Sequence, residues 1–191
     1  MDNAAELINN FVAALNNRGL EPLFGDDVPL ELRTEELAEI PDMFKWEIRP
    51  ATDNPWVPPL EARLPSPFPP LYRFLITQFR FAEFEVGPVM FFANTGQASV
   101  FHDLSRALFA DDGLYPVLLQ NGLMQFGQQA GGGYDPVCFD MKRRRAGDAP
   151  IVQLDHEDVL IRNRIRVVKE IALSFRDFVE QVIAGEFAPP R

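Results

Sequence analysis

Asn121-Gly122-Leu123-Met124-Gln125-Phe126-Gly127, then Gly131-Gly132-Gly133-Tyr134-Asp135-Pro136-Val137-Cys138-Phe139-Asp140, then Ala149-Pro150-Ile151-Val152-Gln153-Leu154-Asp155 follow one another in the last third of the chain. Each is a short apolar run bounded by turn residues, which is the signature of strands. Strands are predicted over Leu123 to Phe126, Val137 to Met141 and Ile151 to Asp155. The glycine run and the loop Lys142-Arg143-Arg144-Arg145-Ala146-Gly147-Asp148 join them into an antiparallel meander. Asn121-Gly122 is the dipeptide of a two-residue hairpin turn and would pair a further strand, Tyr115 to Leu119, with the first. A helix closes the chain. Ser174 caps it, Asp177 three residues on completes a capping box, and Phe175, Phe178, Val179, Val182 and Ile183 form one apolar face that ends at Gly185. Strands followed by a docking helix make an α+β fold: a twisted, mainly antiparallel sheet flanked by helices.

Upstream, Leu7, Ile8, Phe11, Val12 and Leu15 recur at helical spacing over residues 4–17, with Arg18-Gly19 as the stop. Residues 20–33 read as loop or short strand. Thr34-Glu35-Glu36-Leu37 reads as a short capped helix ending before Pro41. Residues 50–70 are proline-dense, a surface loop holding one helical turn near Pro59 to Leu64. Pro70 then opens a helix whose buried stripe is Leu71, Leu75, Ile76 and Phe79. Phe81 to Phe92 reads as one or two strands broken by Gly87-Pro88, and Leu104 to Phe109 as a short helix capped by Asp103.

Composition narrows the function classes. The chain has 191 residues, enough for one domain with its own core. Seventeen Phe stand against 3 Tyr and 2 Trp, which calls for an aromatic core. A single cysteine, Cys138, excludes an intrachain disulfide. The acidic start, Met1 to Glu6, lacks the basic region of a secretory signal. No apolar run reaches the roughly 18 residues that span a bilayer, so the expected compartment is the cytoplasm.

The formal charge is −10 and is unevenly spread. Residues 1–61 carry 13 acids and 4 bases, whereas residues 142–191 carry 8 acids and 10 bases. An acidic first third argues against nucleic acid as a direct ligand, because phosphates need cations to neutralise them. It suits docking to a basic partner.

No reactive constellation stands out. Cys138 lies between Val137 and Phe139, as a small buried hydrophobe would. The glycines at 131–133 lead into Tyr134-Asp135-Pro136 and not into Gly-Lys-Ser/Thr and a helix, so they do not form a phosphate loop. His102-Asp103 and Asp155-His156-Glu157-Asp158 are the only histidine–acid clusters. Two imidazoles and one thiol fall short of a structural zinc set, and neighbours in a strand would point to opposite faces. A rim histidine among solvated acids is the expectation, with a small enzyme built on His102 and His156 as the competing class. Lys142 to Arg145 reads as a solvated hairpin tip that protects a sheet edge. The expectation is therefore no catalytic residue, no metal site, no cofactor and no membrane contact.

The order of motifs resembles the SUKH superfamily, which includes the Smi/Knr-type cell-wall assembly regulators of fungi and many bacterial toxin-immunity proteins. The likeness runs from Trp46 to Ile183. It is carried by Trp46, Leu60-Glu61, Leu64-Pro65, Tyr72-Arg73-Phe74-Leu75 and Gly122-Leu123-Met124-Gln125-Phe126-Gly127, then by Cys138-Phe139-Asp140, Pro150-Ile151-Val152, His156-Glu157 and Ser174-Phe175-Arg176-Asp177-Phe178. At Gln78-Phe79-Arg80-Phe81 the chain departs from the family's Asn-Gly. The resemblance implies a SUKH-like domain at 46–185; residues 1–45, which have no counterpart in it, are read as an N-terminal helical extension and 186–191 as a tail. It implies binding and not catalysis: an immunity protein that neutralises a cognate toxin, often a nuclease, by direct contact. A regulatory or scaffold protein in envelope assembly or signalling is the alternative. The partner's identity, the residues that bind it and the oligomeric state are not specified by these motifs.

Overall fold

Residues 2–51, 54–95 and 103–187 are described by the structure, a computed structural model. In chain order the elements are α1 (Asp2–Arg18), β1 (Leu23–Phe24), β2 (Arg33–Glu36), β3 (Met43–Trp46), β4 (Arg49–Pro50), α2 (Val57–Glu61), α3 (Pro70–Gln78), β5 (Phe79–Arg80), β6 (Phe84–Val86), β7 (Val89–Phe91), α4 (Leu104–Ala107), α5 (Tyr115–Gln120), β8 (Leu123–Gln129), β9 (Pro136–Asp140), β10 (Ile151–Leu154), α6 (His156–Arg162), β11 (Val167–Ala172) and α7 (Phe175–Ala184). The main sheet has six strands in the order β11-β10-β9-β8-β7-β6, each antiparallel to its neighbours. Strands thus lie beside their sequence neighbours, the simplest unknotted path. With helices flanking that sheet, the fold is α+β. A three-stranded sheet, β1-β3-β2, and the two-stranded β4-β5 complete it.

One face of the main sheet carries the large core. Met124, Phe126, Val137, Phe139 and Ile151 pack there with the buried faces of α1, α3 and α7. Tyr72 sits at the centre, with ring centroids between 5.1 and 5.4 Å from those of Phe68, Phe126, Phe139 and Phe175. Edge and tilted contacts of this kind are what ring quadrupoles favour. Burial, with Asp103 nearby, pushes the Tyr72 hydroxyl well above its ordinary pKa. Ile8, Phe11, Val12 and Leu15 of α1 belong to the same core. The opposite face is smaller: Leu123, Cys138, Val152 and Leu154 are covered by Leu118 of α5 and Val159 of α6.

Helix ends are tied down by side chains from elsewhere. Asn54 and Asn94 both donate to the Ile76 and Phe79 carbonyls, satisfying acceptors that α3 leaves open at its C-terminus. Ser174 accepts from the Asp177 N–H as predicted, and Gly185 ends α7 in the left-handed conformation. Asp148, from the hairpin loop, accepts from the Phe175 and Arg176 N–H groups. One edge of the main sheet, β11, carries Lys169 and register shifts against β10 at two places, devices that blunt edge pairing.

Three predicted elements differ. Residues 33–36 are strand β2 and not a helix: Glu35 pairs across to Lys45, whose Nζ lies 2.8 Å from its carboxylate. A capped turn of so few residues cannot hold a helix alone, and β3 offers it a ladder. Residues 115–120 are helix α5 and not a strand, because Pro116 fits a first helical turn and cannot donate to a ladder. Asn121-Gly122 therefore turns from helix to strand, with Gly122 at φ +73°, and is not a hairpin tip. Helix α6 and strand β11 have no predicted counterpart.

Candidate functional site

Two surfaces place polar or charged groups beside exposed apolar side chains. The first is the three-stranded sheet with its flanking turns, residues 21–47. Nine acids and two bases, Arg33 and Lys45, fall in this segment. Arg33 is turned inward: its guanidinium donates to the Val28 and Gly25 carbonyls and lies 4.5 Å from the Phe44 ring centroid. Lys45 engages Glu35, and Arg80 reaches Glu31 at 3.1 Å. Glu21, Asp26, Glu36, Glu39, Asp42 and Glu47 are also exposed. Among them stand three exposed apolar side chains, Phe24 at 49%, Leu30 at 77% and Ile40 at 43%.

The second surface is a groove of about 340 Å³ over the small face of the main sheet. Phe92, Gln125 and Gln128 form its floor, Arg106 to Leu114 one wall, and Tyr134, His156 and Leu160 the other. His156 is at a rim, as expected. Its neighbours 155–158 lie at the start of α6, however, and not in a strand. Its acidic partner is Asp135, which no local motif or spacing joins to it. One oxygen of Asp135 accepts from His156 Nδ1 at 2.8 Å and from the His156 N–H at 3.1 Å, while the other accepts from Gln153 at 2.9 Å. Burial alone would raise this carboxyl; the hydrogen bonds from His156 and Gln153 outweigh it and hold Asp135 below the usual carboxylate range.

The other acids of that cluster have structural roles. Asp155 caps α6 by accepting from the Asp158 N–H. The Asp158 carboxylate, with no solvent exposure, receives Arg162 at 2.5 Å and Arg164 at 3.3 Å. The Arg162 hydrogen bond, against the opposing effect of burial and with help from Arg164, lowers its pKa.

His102 lies outside the described residues. Cys138 is buried in the small core, where burial pushes its thiol far up and leaves it unsuited to attack. Gly131 and Gly132, both at positive φ, form the β8–β9 turn. In the basic run, Arg143 bridges Asp140 and Glu170, tying the hairpin to the edge strand β11. No group of three or more metal-ligating side chains occurs among the described residues, and no helix there is long and apolar enough to cross a membrane. No protein-family model and no curated protein matches this chain.

Proposed function

We propose that the chain is a non-catalytic binding protein of the SUKH type, acting in the cytoplasm as an immunity protein that neutralises a basic toxin domain by direct contact. The observation that carries this reading is the acidic three-stranded sheet, whose own cations are engaged and whose exposed Phe24, Leu30 and Ile40 supply apolar anchors. Negative charge speeds encounter with a cationic surface, and desolvated anchors slow dissociation. The antiparallel α+β architecture is also the one the resemblance implies. A basic cleft that a nuclease uses for phosphate is a natural counterpart.

The test is protection. The protein encoded immediately beside this chain's gene is expressed alone and together with it. The reading expects growth arrest alone, rescue on co-expression, and a one-to-one complex on gel filtration. Arrest that persists on co-expression, with no complex, would refute it.

A further inference from the structure

The groove above the small sheet face has a built polar floor. Gln125 and Gln128 are three residues apart, and in a regular strand they would point to opposite faces. The register of β8 against β9 shifts between Gln125 and Gly127, so that Phe126 is the extra residue of a bulge. With that bulge both glutamines line the groove, the re-aiming that bulges near binding sites perform. Gly127 is needed for it: a Cβ there would sit 2.3 Å from the Met90 carbonyl oxygen of the neighbouring strand.

The groups so placed have a definite hydrogen-bonding character. Gln125 is more than nine-tenths buried, and its amide nitrogen donates to the Gly127 carbonyl at 3.1 Å. That bond fixes the amide's orientation and leaves its carbonyl oxygen as an acceptor without a partner among the described residues. Asp135 accepts from His156 Nδ1, which puts the proton of a neutral imidazole on Nδ1 and makes Nε2 a second acceptor in that form. Gln128 adds both a donor and an acceptor. Phe92, Leu114, Leu160 and the exposed Tyr134 provide flat and aliphatic walls.

We propose that this groove binds a planar, uncharged nitrogen heterocycle of nucleobase size. Two acceptors beside an amide match an exocyclic amino group next to a ring nitrogen, the edge that Asn and Gln read on adenine. A volume of about 340 Å³ holds such a ring system with its sugar. The site takes the free base or nucleoside and not a polynucleotide, because the chain carries −10 and Asp111 stands in the wall against Arg106.

The experiment is an amide-resolved NMR titration of the full chain with adenosine, with single-stranded oligoadenylate in a parallel arm. Saturable shifts with adenosine at Gln125, Gln128, Tyr134 and His156 are expected. Gln128→Ala, a half-exposed position, should weaken binding by about tenfold with an unchanged far-UV spectrum, in line with the discrimination of one bidentate pair. His156→Phe, which keeps the ring and removes the acceptor, should weaken it likewise. No saturable shift up to the solubility of adenosine, shifts centred elsewhere, tighter binding of the oligonucleotide, or an unchanged affinity in both variants would each overturn the proposal. None of these outcomes bears on toxin protection, which rests on a different surface.

Discussion

Asp158 and Asp135 show how single carboxylates shape this protein. Both have folded-state pKa values below the ordinary range, Asp158 chiefly through Arg162 and Asp135 through His156 and Gln153. A lowered carboxyl stabilises the fold fully above its unfolded pKa, and that stabilisation is lost as pH falls through the folded value. Urea midpoints should therefore decline at pH values below the ordinary carboxylate range. Asp158→Asn should flatten part of that decline, whereas a curve parallel to the parent's would contradict the assignment. Gly127 gives a second prediction at this scale. Gly127→Ala forces a side chain against the Met90 backbone and should cost on the order of 2–3 kcal/mol in urea unfolding. A change within a few tenths of a kcal/mol would mean that the β7–β8 approach relaxes freely.

Among the elements, α7 is the best anchored. Its N-terminal N–H groups are divided between two caps: Ser174 takes that of Asp177, and Asp148 takes those of Phe175 and Arg176. Ser174→Ala should cost about 1 kcal/mol, Asp148→Ala about 1–2 kcal/mol, and the pair close to their sum, since they serve different donors. Chemical denaturation of the three variants checks it; a double variant no worse than Asp148→Ala would show a single shared role. These same elements mark what could be read beforehand. Strands β8 to β10, helices α1 and α3, and the Ser174 cap were legible because pattern, turn residues and caps all agree within one segment. The cap from Asp148 was not, because its partners lie 27 and 28 residues away. Helix α5 was misread through its apolar run although Pro116 was the available signal. Strand β2 was misread because its glutamates suit a helix and only the β3 ladder makes it extended. The Asp135–His156 pair joins a turn to a helix start 21 residues on, and the β8 bulge that aims Gln128 leaves no mark in local periodicity.

For the whole molecule, charge is unevenly distributed along the fold. The acidic sheet of residues 21–47 stands apart from the basic hairpin and α6–β11 segments, where Arg143, Arg162 and Arg164 are paired with their own acids. The carboxylates of the small sheet are thus the larger uncompensated field, and under the proposed function they would steer the encounter with a basic partner. The most direct measurement is isothermal titration of the purified chain, and of its Glu36→Lys/Glu39→Lys/Asp42→Lys variant, against the protein encoded beside it, the proposed toxin. The account predicts one-to-one binding by the parent chain, and binding weakened by an order of magnitude or more in the folded variant, as expected when charges at an interface are reversed. Equal affinity for the two proteins would contradict it.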